Sequence, residues 1–398
     1  MKITAGRSDR FVPETHTPLW ISARKLEALL KTAPTPLFVY DEKSLVRAVQ
    51  ALFAAFSWEP GFLPRFPVRM DPDPPVLRIL RGAGCGALCR DGCELRLAAA
   101  CGFAGPAVAY APMRADAAAE QLARELGAVF VLDGPQVLPA FAPEAAVLLL
   151  RQQGPLRISG RPVMGAPVSS AGMEEAELCR LAACLHAGGT RTLGLGMSLG
   201  DLCMDEGFYP AVFAQLVAAA ARLREKTGLT VRIFDLGGGF GVSCRPDYCP
   251  GPDLSACAAA FRAQTCALPE ALQGVQLSMS PGRFLAAGGG VLVCRVVAVK
   301  PGPVAVLDVS AAQCLRLEKR GAYHAAAALR TAGRPPLLQQ LTALEQGAPF
   351  ARQVLPQLRV GDPVIIRMLG ADGRSFSCAS ERCPAYLLRA DGTIEPIE

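Results

Sequence analysis

The chain has 398 residues, 51% hydrophobic and 19% charged, enough apolar content for a large core divided between two domains. Its formal net charge is only +6 and no basic run stands out, so nucleic-acid binding finds no support. No apolar stretch reaches the ~20 residues that cross a bilayer; the polar, proline-broken start is no signal peptide, and the fifteen cysteines read as free thiols of a cytoplasmic protein.

In chain order, Pro36–Tyr40 reads as a strand that precedes the first helix and joins a later β-rich unit. Short β-rich apolar runs follow at Phe66–Arg69, Gly86–Cys89, Ala107–Tyr110, Val129–Leu132 and Ala146–Leu150, then at Leu193–Met197, Val231–Asp235 and Val275–Met279. Amphipathic helical periods lie between most of them, at Asp116–Leu126, Glu175–His186 and Phe208–Thr227. Eight strands with intervening helices over about 220 residues predict a (β/α)8 barrel, and the count favours it over a doubly wound sheet. The Gly/Ser/Pro-rich stretch Gln153–Gly172 reads as a mobile loop.

From about Leu285 the pattern changes. Val291–Val299, Val304–Val309, Pro363–Arg367 and Ala385–Leu388 read as strands, with turns at Lys300-Pro-Gly and Ala390-Asp-Gly. The expected organisation is an α/β protein: a barrel over residues 42–284, and a β-rich domain made from residues 1–41 and 285–398.

The sharpest local motif is Asp235-Leu-Gly-Gly-Gly-Phe-Gly241, directly after the apolar run Val231–Phe234. Consecutive glycines let backbone N–H groups turn toward a phosphate and permit close approach. A tight strand-to-helix turn explains the same glycines equally well. Cys85, Cys89 and Cys93 recur every fourth residue, but Gly86–Cys89 falls on a strand. His16, His186 and His324 lie in three separate segments, so no metal site is expected.

The order of segments resembles the fold-type III pyridoxal-phosphate decarboxylases, the diaminopimelate/ornithine decarboxylase family, over nearly the whole chain. Thr35-Pro-Leu-Phe-Val-Tyr-Asp41 looks like its opening strand. Phe66-Pro-Val-Arg-Met-Asp-Pro-Asp-Pro74 looks like its first barrel strand, usually Tyr-Ala-x-Lys-Ala-Asn-x-Asn-Pro. Cys93-Glu-Leu95 stands for Gly-Glu-Leu, Ser280-Pro-Gly-Arg283 for Glu-Pro-Gly-Arg, and Asp235–Gly241 for the glycine loop. Gly321-Ala-Tyr-His324 and Gly370-Ala-Asp-Gly373 resemble two signatures of the C-terminal domain. The diaminopimelate branch fits better than the ornithine branch.

The resemblance implies an alanine-racemase-like TIM barrel with a C-terminal β domain, and pyridoxal 5'-phosphate as cofactor. The phosphate anchors Gly237, Gly238, Gly239, Gly282 and Arg283 are kept, as are Arg316 and Tyr323 near substrate-side positions. The reactive parts are not. Arg69 occupies the position of the Schiff-base lysine, and a guanidinium stays protonated and is a poor nucleophile. None of the seven lysines lies in or beside that strand. Ser198 stands where a histidine would stack on the cofactor ring. Ser280 replaces the carboxylate that would keep the ring nitrogen protonated, Ala343 lies nearest the family's cysteine, and Asp372 replaces a phosphate-contacting tyrosine.

These replacements share one mechanism and argue against covalent cofactor attachment. They favour a diverged diaminopimelate decarboxylase-like pseudoenzyme with a binding or regulatory role. It would hold a small phosphorylated ligand, or form a homodimer or a heterodimer with an active paralogue. The alternatives are an active pyridoxal-phosphate-dependent amino-acid decarboxylase of the diaminopimelate type, and a different enzyme reusing the barrel. In the family the lysine points up the barrel axis. Arg69 is therefore expected to do the same, pair with Asp71, Asp91, Asp201 or Asp372, and fill the space of the cofactor ring.

Overall fold

The computed structural model describes residues 19–56, 61–134, 148–152, 157–158, 161–162, 172–190, 192–197, 203–243, 251–310, 324–329, 332–344, 351–371, 373–374 and 382–397. Strand β1 (Leu37–Asp41) precedes a 15-residue helix, Glu42–Phe56, that buries Leu45, Val49, Leu52 and Phe56 at helical spacing. The barrel strands are β2 (Phe62–Pro67), β3 (Gly86–Cys89), β4 (Val108–Tyr110), β5 (Val129–Leu132) and β6 (Leu148–Gln152). A short antiparallel hairpin, β7 (Arg157–Ile158) and β8 (Arg161–Pro162), comes next. Strands β9 (Thr192–Met197), β10 (Thr230–Asp235) and β11 (Gln276–Met279) complete the set. The closed order is β10-β11-β2-β3-β4-β5-β6-β9, with parallel pairing throughout.

The helices between the strands start and stop where local chemistry dictates. Asp116 accepts from the Ala119 amide and caps Ala117–Glu125, and Asp253 caps Leu254–Cys266 in the same way. Phe208–Thr227 ends at Gly228, whose φ of +74° suits a residue without a Cβ. One large apolar cluster packs these helices on the barrel and continues into the second domain. A separate cluster of Ala109, Ala111, Val129 and Val131, with Leu88 and Ile233 against it, alternates with the helix-facing residues and so lines the barrel interior. The buried Arg65 shares that interior: its Nη2 donates to the Pro106 carbonyl at 2.8 Å. Burial lowers its pKa, and the nearby Asp235 carboxylate opposes that shift.

The second sheet contains β1, β12 (Gly290–Lys300), β13 (Val304–Leu307), β14 (Ala326–Ala328), β15 (Pro336–Thr342), β16 (Ala351–Pro356), β17 (Pro363–Ile366), β18 (Ala385–Leu388) and β19 (Ile394–Ile397). β12 pairs antiparallel with β1, β13 and β17, while β1 runs parallel to β18. The opening strand thus joins the β-rich unit, as expected.

Three sequence expectations need correction. The first barrel strand runs from Phe62 to Pro67, not from Phe66 to Arg69, and Val68–Met70 is a 3-10 turn. Pro67 is the last residue of the ladder, paired with Leu88, and Arg69 sits on the turn beyond it. Ala107 likewise ends a 3-10 turn, Gly105–Ala107, rather than opening β4. The stretch read as a loop after Gln152 holds the β7–β8 hairpin; its remainder as far as Ala171 lies outside the described residues. No helix among the described residues is long and apolar enough to cross a membrane.

Candidate ligand site at the barrel mouth

Three segments that leave the C-terminal ends of adjacent strands define one rim: Leu236–Gly239 after β10, Ser280–Arg283 after β11, and Val68–Met70 after β2. In a parallel barrel these strand ends share the mouth where ligands bind. The first two segments are tied directly. The Ser280 amide donates to the Gly237 carbonyl at 2.7 Å, and the Leu236 amide to the Ser278 carbonyl at 2.8 Å. Gly237 and Gly239 adopt φ of +68° and +96°, which a side chain would strain. A Cβ on Gly238 would lie 2.9 Å from the Ser280 carbonyl oxygen.

The carbonyls of the three glycines are engaged. Gly237 O accepts from Ser280, Gly238 O from the Tyr209 hydroxyl at 3.4 Å, and Gly239 O from the Cys203 amide at 2.7 Å. The Gly238 and Gly239 amides donate to no described residue. The loop therefore offers N–H groups, the donors an anion needs. Gly282 abuts the turn that carries Arg69: a Cβ there would meet Pro67 and Met70 at 3.1 Å.

Arg69 itself is exposed. It has no hydrogen bond or ion pair to a described residue, and the nearby charge it acts on is Glu94. Glu94 belongs to a capping box at the start of Gly92–Ala100. Asp91 accepts from the Glu94 amide at 2.9 Å, and Glu94 Oε2 accepts from the Arg90 amide at 2.8 Å. Burial raises the Glu94 pKa, the Arg90 amide opposes that, and Arg69 opposes it further.

The expected pairing of Arg69 with Asp71 or Asp91 is not found. Asp91 is spent on its cap, and Asp71 is buried, its Oδ1 accepting from the Asp73 amide at 3.2 Å. Desolvation, followed by the neighbouring Asp73, pushes the Asp71 carboxyl up to about 8. The buried Tyr40 hydroxyl lies close enough to feel Asp71 but without a well-aligned hydrogen bond. Asp73, only 1% exposed, forms an ion pair with the buried Arg374 and another with Arg382 at 3.3 Å. The acids thus serve the junction between barrel and β domain, because a buried carboxylate needs a partner that a solvated Arg69 does not. Arg374, Arg382 and Tyr40 were not legible as participants. The available signal was two acids in a proline-rich frame that had to be buried.

His324 donates from Nδ1 to the Arg367 carbonyl at 3.0 Å, since a carbonyl can only accept. Burial lowers its pKa, the Arg367 carbonyl opposes that, and Arg283 adds to the lowering. Ala343 is buried just after β15. Ser198, Asp201, Arg316, Tyr323 and Asp372 lie outside the described residues.

The model of the pyridoxal binding domain of pyridoxal-dependent decarboxylases matches residues 42–287. The chain belongs to this decarboxylase family. Protein TabA of Pseudomonas amygdali pv. tabaci is 29% identical over 377 residues, covering 92% of this chain and 88% of that protein. Diaminopimelate decarboxylase of Deinococcus radiodurans is 28% identical over 364 residues, 90% of each chain. The fold is that of Helicobacter pylori diaminopimelate decarboxylase in complex with L-lysine, with a TM-score of 0.81, 19% identity, and coverage of 94% of this chain and 96% of that one.

The family works with pyridoxal phosphate, and the fit of this chain to that group is divided. Free amides at Gly238 and Gly239, beside Gly282 and Arg283, suit the phosphate. The aldehyde and the ring nitrogen are served less well: on the described rim segments Arg69 offers no nucleophilic amine and Ser280 no carboxylate.

Proposed function

We propose that this decarboxylase-family chain is noncatalytic and holds a small phosphorylated ligand without a covalent bond. We further propose that it acts as a homodimer or as the partner of an active paralogue. The observation that carries this reading is the exposed Arg69 on the turn after the first barrel strand, where the family resemblance puts the Schiff-base lysine. None of the described lysines stands on the three rim segments. Lys25 donates to the Gly392 carbonyl, Lys226 pairs with Glu175, Lys31 and Lys43 are exposed at the N-terminal helices, and Lys300 ends β12.

The second reading, an active decarboxylase of the diaminopimelate type, draws support from the relatives that carry that name. It needs a lysine from outside the described residues, Lys2 or Lys319. Absorbance separates the two. Purified protein mixed with pyridoxal phosphate is expected to keep the spectrum of the free aldehyde. A yellow, protein-bound chromophore that borohydride bleaches would establish the second reading.

A further inference from the structure

The turn after β2 carries a cation that no described residue pairs with. Arg69 is exposed and forms no hydrogen bond or ion pair with any described residue. Asp91 and Glu94, the acids of the adjoining capping box, accept from the amides of Glu94 and Arg90, and Arg69 reaches Glu94 through its charge without a hydrogen bond or ion pair. Asp71 and Asp73 are buried at the domain junction, with Arg374 and Arg382 on Asp73. The turn bearing Arg69 touches the phosphate segment through Gly282. A guanidinium in this setting recognises planar oxyanions through paired, charge-assisted hydrogen bonds.

The geometry points to a ligand with two anionic ends: a phosphate monoester at Gly237–Gly239 and Arg283, and a carboxylate at Arg69 in place of the family's aldehyde. This rests on the noncovalent reading proposed above and adds the class of ligand. Selectivity follows from charge. A neutral substituent leaves Arg69 in water and gains nothing from it, whereas a carboxylate gains a partner without having to displace one.

Two probes that differ at one substituent test this. Titration calorimetry would compare 4-pyridoxic acid 5'-phosphate, which has a carboxylate, with pyridoxine 5'-phosphate, which has a neutral alcohol. The carboxylate should bind about tenfold tighter or better. Arg69→Gln should abolish that preference while leaving pyridoxine phosphate affinity and the melting temperature unchanged; Arg69→Lys should retain part of it. Equal binding of the two probes, or a preference that survives Arg69→Gln, overturns this proposal and leaves the noncovalent phosphate site standing. Failure of both probes to bind overturns the proposal and the phosphate site together. A borohydride-fixed pyridoxyl group overturns the noncovalent reading, whichever probe binds better.

Discussion

Asp73 and Arg374, 301 residues apart in the chain, form a buried ion pair that joins the turn after the first barrel strand to the C-terminal domain. Arg374 also donates from Nε to the Cys383 carbonyl at 3.1 Å, so its position is fixed from both sides. Asp73→Ala would leave that guanidinium buried without its carboxylate. A loss of about 3–5 kcal/mol is expected, measured as a fall in the denaturant midpoint with an unchanged slope. Asp73→Asn, the residue usual in the family, should cost less because the amide oxygen still accepts a hydrogen bond.

Asp71 makes stability depend on pH. Its carboxyl is raised to about 8 by burial in the folded chain, against about 4 when unfolded. Between those values the folded state holds a proton that the unfolded state has released. Asp71 therefore stabilises the fold fully below about pH 4, and its contribution falls as pH rises through about 8. Thermal melts of Asp71→Asn should lose this part of the pH dependence and exceed the parent Tm above pH 8. Parallel melting profiles for the two proteins would contradict the assignment.

Gly238 tests the cradle. Its Cβ would stand 2.9 Å from the Ser280 carbonyl oxygen, a backbone atom that the Ser280 and Gly237 pairing holds in place. Gly238→Ala should weaken pyridoxine phosphate binding by an order of magnitude or more, with a stability loss of about 1–3 kcal/mol from crowding. Gly274→Ala is the control for substituting a glycine away from the mouth; no atom lies within 4 Å of its Cβ position, although its φ of +78° adds backbone strain.

Much of the barrel was legible because its strands are short apolar runs bounded by turn residues. Gly86–Cys89 and Val129–Leu132 match residue for residue. The β domain was less so. β15 reads Pro-Leu-Leu-Gln-Gln-Leu-Thr without clean alternation, and its buried Gln339 is satisfied by the carbonyls of Leu355 and Pro356 and by the Leu358 amide, contacts that sequence does not display. At the site, the local motifs placed Gly237–Gly239 and Gly282 together, since each follows a strand of one barrel. The partners of Asp71 and Asp73 were not readable, because Arg374 and Arg382 arrive from the far end of the chain through tertiary packing.

Restoring the lysine should not restore the reaction. Arg69→Lys puts an amine on the turn, but Ser280 brings no carboxylate to the rim, and by the family resemblance Ser198 replaces the ring-stacking histidine. Carbon dioxide release from diaminopimelate should stay at background in this variant. Release at a rate typical of decarboxylases would show that the serines are not limiting.

The most direct measurement is peptide mapping after reduction. The parent protein is incubated with pyridoxal phosphate, treated with borohydride, digested, and every lysine peptide is quantified by mass spectrometry. No peptide should carry a stoichiometric pyridoxyl group, including those with Lys2 and Lys319. One lysine labelled at a ratio near one per chain would contradict the noncatalytic reading and identify the residue that replaces the missing one.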